Sequence, residues 1–314
     1  MTPHRIDVHH HVLPPYYVQE EGKRLLANAP SYARVLEWTP QASIEAMDRA
    51  GVKTSMTSVA TFGLSPNDRQ YRKTLARECN VYASELCKCH SGRFGMFTTL
   101  PMPHVKETLE EIAYGFDVLG ADGVCMMTNY DNRWPGDPEF APVFDELNRR
   151  RAVIYFHPTV APCCVGLIPE IPSAFLEYPF DTTRAISSLL YTGTLSRCPD
   201  ARFIFSHGGG TLPMLAHRIA LLGDVNKTLA ARVPDGVLNE LRKLYFDTVS
   251  VNNGPAFAAL TKFTNISRIL FGSDFPYFSI EKDCMLDGLG LSDEDLRAIE
   301  TDNARALLPR LRTS

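Results

Sequence analysis

Short apolar runs alternate with helical periodicity along the whole chain. Eight runs, 5–9, 53–60, 94–100, 122–128, 152–157, 202–207, 244–249 and 268–273, are rich in apolar residues. That is the pattern of parallel strands buried on both faces. Between them apolar positions recur every three or four residues, as in Val105, Leu109, Ile112, Phe116 and Leu119, and again in Phe140, Val143, Phe144 and Leu147. Pro138 suits the first turn of the latter helix. Eight such alternations predict an α/β fold, a (β/α)8 TIM barrel, rather than an open sheet. No low-complexity segment, repeat or linker interrupts them, so the expectation is one domain over residues 1–314. Barrels of this kind take about 250 residues and can exceed 400.

Two connections are long. Residues 12–40 follow strand one and residues 158–180 follow strand five, so both are expected to overhang the C-terminal mouth of the barrel. The second carries Pro162, Val165, Leu167, Ile168, Pro169, Ile171, Pro172 and Phe175, an apolar cover suited to a flat aromatic substrate.

Net charge is −4 and the isoelectric point is near 6.1, which gives no reason to expect nucleic acid or an anionic membrane as partner. The polar N-terminus has no apolar signal segment, and no run is long enough to span a bilayer, so a cytoplasmic protein is expected. The eight cysteines are irregularly spaced and read as reduced thiols. Cys87 and Cys89 sit two apart in a helical stretch and point in different directions. Cys163-Cys164 has too few matched neighbours for a zinc site.

Four strand ends carry the candidate chemistry. His9 and His11 are alternate residues of a strand, so both can face the barrel mouth while His10 faces away. His157 closes a strongly apolar strand just before Pro158. Asp274 follows Phe271-Gly272-Ser273 at the end of strand eight, where the alternative is a turn or capping aspartate. Three imidazoles and a carboxylate gathered at one barrel mouth form the donor set of a catalytic divalent-metal site. His207 opens the run Gly208-Gly209-Gly210 and is a candidate acid or base near the metal. The glycines are expected to let backbone approach a ligand, with amides able to receive an anion.

The His-x-His of strand one, the His-Pro of strand five, the His-Gly-Gly-Gly of strand six and the Gly-Ser-Asp-Phe-Pro of strand eight resemble the decarboxylases of the amidohydrolase superfamily. These include the 2-amino-3-carboxymuconate-6-semialdehyde, γ-resorcylate and 5-carboxyvanillate decarboxylases. Pro14-Pro15, the stretch 177–184 and the stretch 206–213 look most similar to 6-methylsalicylate decarboxylases. The resemblance implies His9, His11, His157 and Asp274 as ligands of one divalent ion, with Zn favoured and Mn the alternative, and His207 as a catalytic residue. It implies a homodimer, or a dimer of dimers, in which Arg218 reaches a substrate carboxylate. The expected reaction is non-oxidative decarboxylation of a small ortho-hydroxy aromatic carboxylate. Asp274 would donate the proton with His207 in support. The alternative is a mononuclear metal-dependent hydrolase of a small cyclic or aromatic substrate.

Overall fold

A computed structural model describes residues 4–28, 30–59 and 66–312. Residue 60 of the predicted second strand, residue 29 of the first long connection and residues 1–3 lie outside the described residues. The eight strands are β1 (Arg5–His11), β2 (Val52–Ser58), β3 (Phe94–Thr99), β4 (Gly123–Met127), β5 (Val153–His157), β6 (Arg202–Phe205), β7 (Tyr245–Asp247) and β8 (Ile269–Leu270). They run parallel in sequence order. Backbone bonds from Val8 N to Phe271 O (3.0 Å), Asp274 N to His9 O (2.7 Å) and His11 N to Phe275 O (2.7 Å) link β1 to the β8 end. The expected TIM barrel therefore stands. No described helix is long and apolar enough to cross a membrane.

The helices that matter below are α1 (Pro15–Asn28), α2 (Pro40–Arg49), α3 (Arg69–Cys89), α4 (Val105–Tyr114), α5 (Ala141–Arg149), α6 (Ser173–Tyr191), α7 (Thr194–Arg197) and α8 (Leu212–Val225). Their starts follow local chemistry. The Thr39 hydroxyl accepts from Ala42 N and opens α2, and the Asp68 carboxylate accepts from Tyr71 N and opens α3. Val143, Phe144 and Leu147 of α5 are buried, as their spacing predicts.

Three features depart from the sequence reading. The helical pattern over 105–119 ends as α-helix at Tyr114 and continues as a π turn over Gly115–Leu119. A Cβ on Gly115 would lie 2.4 Å from Thr98 Oγ1, so glycine lets the helix press onto β3 there. The connection 12–40 is mostly helical, holding α1 and a 3-10 segment over Pro30–Glu37. The connection after β5 is shorter than 158–180, because α6 begins at Ser173 and carries Pro179 inside it. A proline there forfeits one ladder bond. Separately from that lost bond, the Pro179 carbonyl accepts from Thr183 Oγ1 (3.0 Å) and Thr211 N (3.3 Å), which ties α6 to the segment after β6.

Candidate metal centre

The last residues of β1 and β5 and the turn after β8 bring His9, His11, His157 and Asp274 together, with their ligand-capable atoms all within 4.8 Å of one another. One ion with bonds of about 2.0–2.2 Å reaches all four after small side-chain adjustment. The pairing of β1 with β2 is irregular between Asp7 and His10. His9 and His11 share the barrel interior, their rings 4.8 Å apart, and His157 stands 5.3 Å from His9 and 4.8 Å from His11.

Each imidazole is oriented through its other nitrogen. His9 Nδ1 donates to Asp247 Oδ2 at 2.7 Å, and His157 Nδ1 donates to the Pro158 carbonyl at 2.9 Å. Both partners only accept, so in the neutral rings the Nε2 lone pairs are free to bind a cation. His11 Nδ1 lies 3.0 Å from Ser58 Oγ. On the inner side His9 Nε2 and His11 Nε2 are 3.0 Å apart, and Asp274 Oδ1 lies 3.3 and 2.9 Å from them. That buried oxygen nevertheless has no aligned hydrogen-bond partner. Lone pairs facing a common point in this way fit a divalent cation.

The electrostatics agree. Burial works against a charged His9, but Asp274 and Asp247 outweigh it and push the imidazole up to about 10. In the cation-free protein His9 thus stays protonated near neutral pH. Burial holds His11 below its usual value and His157 well below it, the latter helped by the neighbouring imidazoles. Burial opposes ionisation of Asp274, yet His9, His11 and His207 beside it hold the carboxyl well below the usual range.

His207 lies at the same mouth, its Nε2 3.3 Å from Asp274 Oδ2. The residue adopts a positive φ of 54° and is pinned by its backbone N–H, which donates to Asp247 Oδ1 at 2.8 Å. Asp274 itself has φ 58°. Non-glycine residues held in that region mark places where the surroundings dictate the backbone.

The glycine run after His207 does not serve as expected. A Cβ on Gly208 would lie 2.6 Å from Val251, on Gly209 2.7 Å from Phe246, and on Gly210 2.1 Å from the Pro179 carbonyl oxygen. The amides of Gly209 and Gly210 bond to Ser206 O and His207 O, and that of Thr211 to Pro179 O and Thr183 Oγ1. The three glycines allow close packing of the loop, and the amides from Gly209 to Thr211 are already engaged, so the anion-receiving role is withdrawn.

His10 faces away, between Asp7 Oδ2 (3.1 Å) and Ser43 Oγ (2.9 Å), and stacks on Phe275. Arg218 sits exposed on α8, with no polar partner among the described residues. The chain thus gathers His9, His11, His157, His207 and Asp274, and leaves Arg218 on the surface.

Sequence reasoning missed several contributors. Asp247, at the end of β7, is fully buried and accepts from His9 Nδ1, His207 N and Val249 N. A lone aspartate closing an apolar strand was the available signal. Asp7 accepts from Ser273 Oγ (2.6 Å), Ser273 N and His9 N, which fastens β1 to the β8 turn. Gly272 lets these strands close, since a Cβ there would lie 2.9 Å from His9 Cβ and 3.0 Å from Asp247 Cβ. Asp181 of α6 accepts from Thr128 Oγ1 (2.5 Å), Asn129 Nδ2 (2.7 Å) and Trp134 Nε1 (2.9 Å). The β4 end therefore anchors α6 through Asp181. Tyr178 and Tyr277 stand edge-on to His157 and His11, at 6.0 and 5.6 Å.

Known proteins bear on this site. The decarboxylase yanB of Aspergillus niger is 36% identical, over 98% of this chain and 88% of its own length. The 6-methylsalicylic acid decarboxylase acuB of Aspergillus aculeatus is 33% identical, over 98% and 97%. A dihydroxybenzoic acid decarboxylase from a Polaromonas species, solved with manganese and the inhibitor 2-nitroresorcinol, superposes with a TM-score of 0.85 at 20% identity, covering 98% of this chain and 97% of that one. The amidohydrolase family profile matches residues 6–310, and the chain belongs to that family.

Proposed function

We propose that the protein is a metal-dependent carboxy-lyase that releases CO2, without oxidation, from a small ortho-hydroxy aromatic carboxylate of the salicylate type. The observation that carries this reading is the convergence of His9, His11, His157 and Asp274 at the mouth of a barrel whose full-length relatives are named decarboxylases. Those four residues would hold one divalent ion. Three imidazoles and one carboxylate suit zinc, which we assign, and manganese is the alternative. Bound there, the ion supplies Lewis acidity toward the ortho oxygen and carboxylate of the substrate.

The chain's own groups handle the proton. Asp274 starts ionised and His207 Nε2 lies 3.3 Å from its Oδ2. His207 passes a proton to Asp274, and Asp274 delivers it to the ring carbon that bears the carboxylate. By protonating that carbon the pair gives the electrons of the breaking C–C bond a place in the ring. Asp247 holds His9 and His207 in register by accepting from His9 Nδ1 and His207 N. Tyr178 and Tyr277 frame the mouth with rings suited to a flat substrate.

The working unit is a homodimer or dimer of dimers in the cytoplasm. Met214, Arg218, Leu221 and Val225 recur along one stripe of α8, and its apolar members are 76%, 60% and 81% exposed, more than a lone subunit explains. In this reading α8 packs on a second copy and Arg218 grips the substrate carboxylate in the partner's site. Mixing Arg218→Ala with Asp274→Asn subunits in equal amounts should then restore about a quarter of the native activity to the mixture, because roughly half of the dimers are mixed and each of those keeps one of its two sites intact.

The decisive experiment is a panel of ortho-hydroxy and ortho-amino aryl acids with CO2 detection and metal analysis. CO2 with an unaltered ring supports the reading. A product that has gained water instead supports the mononuclear hydrolase.

A further inference from the structure

Cys163 and Cys164 lie in a 3-10 turn, Pro162–Cys164, on the segment that leaves β5 directly after His157 and leads to α6. Their Sγ atoms are 2.9 Å apart. Cys163 is exposed and Cys164 is buried beneath it. The turn is held by its backbone, with Cys163 N donating to Asn132 Oδ1 (3.2 Å) and Cys164 N to Ala161 O (2.8 Å). The two sulfurs are therefore presented side by side without any rearrangement.

The remaining thiols do not offer this chemistry. Cys79, Cys125 and Cys284 are buried, and burial raises each of them. Cys198 is buried with its thiol directed at the Phe144 carbonyl. Cys87 and Cys89 are two residues apart on α3 and point in different directions. Among the described residues the pair at 163–164 is the one where two sulfurs touch and one faces solvent. The hydrogen bond between the two thiols raises Cys164, with burial adding to it and Arg184 nearby opposing; Cys163 is the exposed one of the two and meets a reagent first.

We propose that Cys163 and Cys164 form a vicinal dithiol that chelates a soft trivalent metalloid such as an organic arsenical, and that the chelate obstructs the barrel mouth. Soft thiolate donors favour such centres, and two donors on adjacent residues lose little entropy on closing the ring. The balance needs no oxidant. An arylarsonous acid carries two As–OH groups; two As–S bonds form, two As–O bonds break, and each thiol proton leaves with a hydroxyl as water. Arsenic stays trivalent. The segment runs from the candidate ligand His157 to the helix that carries Tyr178, whose ring stands 6.0 Å from that of His157, so an aryl group fixed on the segment is expected to hinder the mouth.

The test treats metal-loaded protein with one equivalent of phenylarsine oxide and reads intact mass and aryl-acid turnover. We expect a gain of one phenylarsenic group less two hydrogens per chain, with unchanged metal content and at least a tenfold fall in turnover. Dithiothreitol should reverse both, and an equal concentration of thiol as 2-mercaptoethanol should not. Cys163→Ser and Cys164→Ser should each keep basal turnover and form no stable adduct. An adduct of equal stability in Cys163→Ser, no adduct at all, or an adduct that leaves turnover intact overturns the proposal. The mass readout needs no substrate, so loss of the decarboxylase reading and loss of the dithiol site are told apart.

Discussion

Replacing Asp247 by Asn isolates the group that sets the His9 tautomer. Asp247 Oδ1 accepts from His207 N (2.8 Å) and Val249 N (3.1 Å), and an asparagine oxygen can keep both bonds. The other arm changes sign. Oδ2, now 2.7 Å from His9 Nδ1, becomes an NH2 that donates. His9 answers by moving its proton to Nε2, which points at the ion site. A ligand nitrogen that carries a proton cannot bind metal until it gives it up. Losing such an orienting partner typically costs 10–100-fold in metal affinity, about 1.4–2.8 kcal/mol. The fold should survive, because both backbone bonds remain. Competition with a chromophoric chelator gives the affinity, and thermal melts of metal-free protein give the control. A metal affinity within twofold of the original, with an unchanged melt, would refute the argument that Asp247 orients His9.

Three further outcomes follow from the same geometry. Asp274→Asn with metal restored by excess ion should lose turnover by at least 10³-fold, measured as CO2 release, since an amide cannot shuttle the proton; near-native turnover with metal bound rejects that role. Cation binding near neutral pH should expel roughly one proton, from His9, because His11 and His157 are held neutral and Asp274 ionised; calorimetry in buffers of differing ionisation heat reads it. The sign for stability follows: His9 is raised, so its contribution to the metal-free fold is complete below about 6.5 and lost as pH climbs through about 10. Gly210→Ala should cost at least roughly 2 kcal/mol by denaturant titration, because the new Cβ meets Pro179 O at 2.1 Å at a positive φ, whereas Gly166→Ala meets nothing and should cost less.

The metal-binding candidates were legible because each closes a strand of the barrel, where the fold puts chemistry. His9, His11 and His157 stand at the ends of apolar runs, and the alternation of β1 predicts that His10 turns away, as it does. Asp247 and Asp7 were not legible as functional groups, because their roles rest on partners more than 200 residues away, at His9 and Ser273. Neither spacing nor periodicity encodes such a pairing. The start of α6 was misplaced for a different reason. The prolines and apolar residues up to Phe175 read as a covering loop, yet Pro172 sits just before the first helical residue and Pro179 is carried inside the helix. The glycines after His207 carried a real signal of close approach, but what approaches is the chain itself.

The most direct test weighs metal and turnover in one sample. Protein stripped by chelator and reloaded in steps is assayed for bound ion by elemental analysis and for CO2 release from an ortho-hydroxy aryl acid. Release should rise in proportion to bound ion and level off at one per chain, with His157→Ala failing to hold it. Full release from stripped protein, or saturation at two ions per chain, contradicts a single ion seated among these four side chains.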